Sequence, residues 1–199
     1  MTREQLCARL GDVLQPDPHR LRGDEGATAA ISGIAERVPA AVLIGLVERE
    51  PGPSVLLTQR TDHLKAHAGQ ICLPGGRVEP FDRDLAAAAL REAEEEVGLE
   101  PAKVEVLGSL PPYDTITGYR IHPVVGWIAP PLDVSPDGIE VAEVFELPLD
   151  FVLDPANHRR QSYRRGALTR GYFVLPYRNR FIWGATAGIL VNLAGLLRV

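Results

Sequence analysis

A sheet sandwiched between helices, an α/β fold, is what this sequence predicts. Three observations carry that expectation. Ala40–Val47 is a continuous apolar run with β-branched residues and reads as a buried central strand. A helical stripe over 82–97 lies between strand-like segments on either side. Helical patterns also stand at both ends of the chain, and such an order needs stacked layers to bury its apolar faces.

At 199 residues the chain is long enough for one well-buried domain and short for two. We expect residues 1–37 to be an N-terminal helix with an extended lead-in, and 38–199 to be a single domain including the C-terminal helix. The first helix spans 3–14, and 15–37 is rich in Pro, Gly and charge. After the central strand, 48–53 is turn-like and Ser54–Gln59 returns as a hairpin partner. A loop over 61–69 contains His63, Lys65 and His67, and Ile71–Leu73 leads into the Pro74-Gly75-Gly76 turn. Beyond the helix, Val104–Leu110 and Ile121–Ile128 read as strands. The stretch 111–119, with Tyr113 and Asp114, reads as the loop between them. Residues 141–153 read as strand or helix, because Pro148 interrupts the pattern. Gly171–Tyr177 is a late strand, and Arg180 leads into a final helix.

That final stretch, Ile182–Leu197, is uncharged for sixteen residues but contains Asn192. A membrane span needs ~20 apolar residues, so a buried helix is the better reading. Ile182, Ile189, Leu190, Leu193, Leu196 and Leu197 form its apolar stripe, with Phe181 and Trp183 as core anchors. Its glycines and alanines would allow close packing against another element, a second subunit of a homodimer included.

Composition is ordinary for a globular chain, with 45% hydrophobic and 24% charged residues. A net charge of −5 argues against a nucleic-acid partner, which needs a basic footprint. Cys7 and Cys72 lack metal-type spacing, and the N-terminus lacks an apolar signal core. A cytoplasmic protein with no membrane partner is expected.

The chemistry gathers in 75–99. Along the 82–97 helix, Leu85, Ala86, Ala89, Leu90, Ala93 and Val97 share the core side. Glu92 and Glu96 lie one turn apart near its edge, Glu95 lies further round beside Arg91, and Glu94 faces water. Carboxylates at i and i+4 repel by roughly 0.2–0.5 kcal/mol in an exposed helix, and more strongly beside a core. A cation between Glu92 and Glu96 is therefore expected, and hard ions such as Mg²⁺ or Mn²⁺ suit oxygen ligands. Asp82 reads best as the helix N-cap.

The same stretch resembles the Nudix box: Gly, five residues, Glu, seven residues, then Arg-Glu-apolar-any-Glu-Glu-any-Gly-apolar. Arg91 to Leu99 matches the second half at every position. In the first half, Asp82 replaces Glu, and eight residues separate it from Arg91. Upstream, Leu56-Leu57-Thr58-Gln59-Arg60 through Lys65 and Gly69 to Leu73-Pro74-Gly75-Gly76 resembles the signature of coenzyme A pyrophosphatases. Thr61, Lys65 and Leu73 are its substitutions, and Lys65 lacks the fork of an arginine.

The resemblance implies a Nudix-type α/β/α sandwich with a mixed sheet and the metal site on the box helix. It implies Mg²⁺ or Mn²⁺ at Glu92 and Glu96, with Glu95 as a third ligand held by Arg91 and the Gly76 backbone approaching the ion. The general base comes from the box or is Glu140, which otherwise reads as a solvated loop acid. Arg60, Lys65, His67 and Arg77 are candidates for substrate phosphates. His63 and His67 lack a third zinc ligand. The implied activity is hydrolysis of the diphosphate of coenzyme A to 4′-phosphopantetheine and adenosine 3′,5′-bisphosphate. Alternatives are ADP-ribose, NADH or a related substrate, or a nucleotide sensor that does not cut.

Overall fold

A computed structural model describes residues 1–11, 22–23, 37–64, 67–165 and 168–198. Its helices are α1 (Arg3–Gly11), α2 (Leu85–Val97), α3 (Leu149–Leu153) and α4 (Gly184–Leu197). Its strands begin with β1 (Arg22–Gly23), β2 (Val38–Val47), β3 (Ser54–Arg60), β4 (Ile71–Cys72), β5 (Gly75–Arg77) and β6 (Val104–Ser109). They continue with β7 (Tyr113–Asp114), β8 (Tyr119–Ile128), β9 (Val141–Pro148), β10 (Arg159–Arg165), β11 (Leu168–Tyr177) and β12 (Arg180–Trp183). Among the described residues, β1–β9 form one mixed sheet, and β10–β12 form a small antiparallel one.

The apolar run read as a central strand is β2. It pairs in parallel with β8 along its whole length, from Val38↔Tyr119 to Val47↔Ile128. Two strands share its other edge. Ala40–Val42 pair with β5, while Leu46 and Val47 pair with Val55 and Ser54 of β3. Between them the Leu43 N–H donates to the Pro74 carbonyl at 2.8 Å. This division of one edge presses the glycine turn against the middle of the sheet.

Alternate residues of β2 serve opposite layers, as the two-residue period of a strand requires. Ala41, Leu43 and Val47 pack with Ala88, Ala89, Ala93 and Val97 of α2. Ile44 and Leu46 belong with Leu6 and Leu10 of α1 and with Leu190 and Leu193 of α4. The sandwich is the one expected, with α2 on one face of the sheet and α1 and α4 on the other.

Several elements differ from the sequence reading. Helix α2 begins at Leu85, and its cap is Asp84, whose carboxylate accepts the Ala87 N–H at 2.7 Å. Asp82 is therefore not the N-cap. Gly98 ends the helix at φ 69°, where glycine carries no steric cost. The buried face is also rotated: Ala88 and Glu96 are buried, whereas Leu85 and Leu90 are only half-buried. Alanines on the contact line let the helix axis approach the sheet, leaving the leucines to flank it.

Tyr113 and Asp114, read as loop, form β7 and are buried. β7 pairs in parallel with β1, which comes from the lead-in. Asp114 takes two bonds from Arg120, at 2.8 and 3.0 Å, and an ion pair from Arg37 at 3.2 Å. The 141–153 stretch resolves into β9 and α3, with Pro148 at the junction. Phe181 and Trp183 are not core anchors, being 49% and 39% exposed. They flank buried Ile182 on β12, so alternation turns both outward. On the small-residue side of α4, Gly188 lies against the Tyr113 ring. Among the described residues, no helix is long and apolar enough to cross a membrane.

A Cβ at Gly188 would overlap the Tyr113 ring, which is too buried to swing aside. Gly188→Ala should cost about 1–3 kcal/mol of stability, as overpacking does. Denaturant unfolding of the variant against wild type measures it.

Candidate active site between the glycine turn and the acidic helix

Glu96 lies at the rotated inner face of α2 and is 7% exposed. Its carboxylate accepts the Gly75 N–H at 3.1 Å, which joins the helix to the turn. Glu92, one turn earlier, rests against Gly76. A Cβ there would sit 2.5 Å from the Glu92 carboxylate, so only glycine leaves it room. Burial pushes the Glu96 carboxyl up from the usual value near 4.5 to about 7. The Gly75 N–H and Arg60 pull it down, while the charges of Glu92 and Glu140 push it up. Burial also raises Glu92, against the pull of Arg91.

Arg91 organises the outer side of this pair. Its Nε and Nη2 hold both oxygens of Asp82, at 2.9 and 3.0 Å. Its Nη1 reaches Glu92 at 3.0 Å and Glu95 at 3.1 Å, and Nη2 also meets the Arg77 carbonyl at 3.1 Å. The Asp82 side chain is covered, and the bonds from Arg91 hold its carboxyl below the ordinary range. No sequence spacing rule had paired Asp82 with Arg91.

Arg60, at the end of β3, completes the inner side. Its Nη2 donates to Glu140 at 2.9 Å, and its Nη1 lies 3.7 Å from Glu96. Glu140 is thus brought to the acidic pair although it lies 44 positions beyond Glu96 in the chain. The other expected cations are placed differently. Arg77 donates to the Tyr119 hydroxyl at 3.1 Å, and His67 pairs with Gln70 at 2.9 Å. Lys65 lies outside the described residues. The carboxylate of Glu95 is 60% exposed and turned to Arg91. Among the described residues, no three acidic, His or Cys side chains are grouped closely enough to hold an ion together. Glu95, expected as a third ligand, is here bonded to Arg91 at the exposed rim.

A model of the NUDIX domain matches residues 37–162, well over half of the chain. This chain belongs to the Nudix hydrolase family. It is 51% identical over 156 residues to an uncharacterized Nudix hydrolase NudL of Escherichia coli O7:K1 (strain IAI39 / ExPEC), covering 78% of this chain and 80% of that one. A NudL of Escherichia fergusonii matches with the same identity and coverage. Among solved structures, a NUDIX hydrolase from Alicyclobacillus acidocaldarius aligns with a TM-score of 0.50 at 15% identity. That alignment covers 80% of this chain and 92% of the other, and shows the shared fold.

The enzyme is thus a Nudix pyrophosphohydrolase, a family that works with divalent metals. Its donors suit such an ion. Two carboxylates one turn apart, both disfavoured as anions by burial, gain from a cation placed between them. Magnesium-like ions take one or two carboxylates and fill their remaining positions with water and substrate phosphate. Glu92 and Glu96 offer two such carboxylates.

Two outcomes follow from this geometry. Gly76→Ala should displace only the end of the Glu92 side chain. We expect its melting temperature to stay near wild type while Mn²⁺ affinity, read by electron paramagnetic resonance, falls by about tenfold or more. The raised Glu96 carboxyl also sets a pH dependence. Folded protein keeps its proton where the unfolded chain has lost it, so the contribution of Glu96 to stability is full below about 4.5 and is lost as pH rises towards about 7. Denaturant midpoints of metal-free protein across that range should show the decline, and Glu96→Gln should flatten it.

Proposed function

We propose that this Nudix hydrolase cleaves the diphosphate of coenzyme A and its derivatives, with Mg²⁺ or Mn²⁺, in the cytoplasm. The products are 4′-phosphopantetheine and adenosine 3′,5′-bisphosphate. The observation that carries the reading is the meeting of two sequence signatures at one place. The coenzyme A-type stretch from Leu56 to Gly76 supplies Arg60 and the glycine turn, and both touch the carboxylates of the box helix. Both cysteines, Cys7 and Cys72, are free thiols, in keeping with a reducing compartment.

When bound, a divalent ion neutralises diphosphate oxygens and acidifies an attacking water. Glu92 and Glu96 are the residues that would hold it, beside the Gly76 backbone. Arg91 keeps Glu92 and Glu95 oriented. Glu140 stands at the open side, half exposed, and takes the proton of the water that attacks phosphorus. One phosphorus–oxygen bond forms and the bridging bond breaks, leaving two phosphomonoesters. Lys65, His67 and Arg77, near the glycine turn in sequence, are proposed to meet the remaining phosphates.

The test is direct. Purified protein with Mg²⁺ or Mn²⁺ is given coenzyme A, ADP-ribose, NADH and a dinucleoside polyphosphate, and the products are identified by mass. Coenzyme A should be cut with the highest kcat/KM; a clear preference for ADP-ribose would overturn the substrate. Glu96→Gln should lower kcat by about two orders of magnitude or more while keeping the fold, as circular dichroism would show.

A further inference from the structure

We propose that Arg60 is a positioning residue for Glu140 and is not a contact to substrate phosphate. The proposal rests on the hydrolytic reading above, in which a loop carboxylate accepts a proton and must be held to do so.

The main chain around Glu140 is tied on both sides. The Ser135 and Asp137 N–H groups donate to the Val97 and Glu96 carbonyls, each at 3.0 Å. A helix leaves its last carbonyls without partners, and here the loop satisfies two of them. The Asp137 carboxylate then accepts the N–H groups of Ile139, Glu140 and Val141, at 3.1, 3.1 and 2.8 Å. Burial works to raise its carboxyl, but these three donors hold it below the usual range. From the other side, Thr61 donates its N–H to the Glu140 carbonyl and its hydroxyl to the Ile139 carbonyl, both at 2.9 Å. The backbone of Glu140 is thus clamped between α2 and the end of β3. Only its side chain is left to be directed, and Arg60 does that at 2.9 Å.

The guanidinium is set for this task. Arg60 stands where the β3–β9 ladder shifts register between Gln59 and Arg60. Its Nε is buried and has no hydrogen-bond partner among the described residues. An arginine that grips phosphate presents two parallel N–H groups to solvent. Here the Nε edge is closed inside the protein, and the terminal nitrogens face Glu140 and Glu96. A cation between two carboxylates sets their spacing and offsets their repulsion.

The experiment uses the full chain, Mg²⁺ and whichever diphosphate substrate the wild type cuts. Arg60→Gln should lower kcat by about 10–100-fold with KM changed by less than about threefold. The double variant Arg60→Gln/Glu140→Gln should turn over no slower than about half the rate of Glu140→Gln alone. Arg60→Lys, which can still donate to Glu140, should recover part of the loss. Mn²⁺ affinity of Arg60→Gln should equal or exceed wild type, since a nearby cation is removed without losing a ligand. A tenfold rise in KM at unchanged kcat would make Arg60 a substrate contact and overturn the proposal. Multiplicative losses in the double variant, or wild-type kcat in Glu140→Gln, would overturn it as well. A preference for ADP-ribose would overturn the coenzyme A reading only and leave this test intact.

Discussion

The structure depends on one constraint: a carboxylate, Glu96, buried beside an apolar layer and bonded to the backbone of the Gly75 turn. A buried anion is costly unless it is paired. The surroundings therefore supply one N–H from the turn and the Arg60 guanidinium. Glu92 and Glu140 add negative charge nearby, which keeps the cluster under electrostatic pressure. Under the proposed function, that pressure would favour a divalent ion placed between the carboxylates. A helix with the same glutamates on a solvated face would feel little of it.

Holding Glu96 there requires the helix and the turn to meet closely. Alanines at 88, 89 and 93 bring α2 down onto the sheet, and the shared edge of β2 brings the glycines up from below. Gly76 then has no side chain because the Glu92 carboxylate stands where one would be. Arg91 has a related duty at the rim. Its planar fork closes on Asp82, and its remaining nitrogen steadies Glu92 and Glu95. A lysine could not make this set of bonds, since it offers a point charge without a fork.

The two arginines divide the acidic groups between them. Arg91 works from within the helix and turns Glu95 towards solvent. Arg60 arrives from the strand and joins Glu96 to a loop residue. The half of the site that carries Glu140 is thus built by tertiary contacts among β3, α2 and the 135–141 loop. Three of these contacts are bonds between main-chain groups, which side-chain identities do not reveal.

The sequence by itself determined the layered α/β fold, the central strand and the acidic helix, because each is written in a local period. It also determined which residues are chemically capable: the spacing of Glu92 and Glu96 and the paired glycines can be read without coordinates. What the tertiary structure alone decided is how these groups are oriented. Asp82 reads as the cap from sequence, and only the helix start shows that Asp84, two positions on, does it while Asp82 binds Arg91. The burial of Tyr113 and Asp114 was hidden because a two-residue strand is too short to show a period. Arg60 looked like any surface cation near a turn until the fold set Glu140 beside it. Periodicity is a property of neighbours along the chain, whereas the electrostatics of this site arise between residues that only folding makes neighbours.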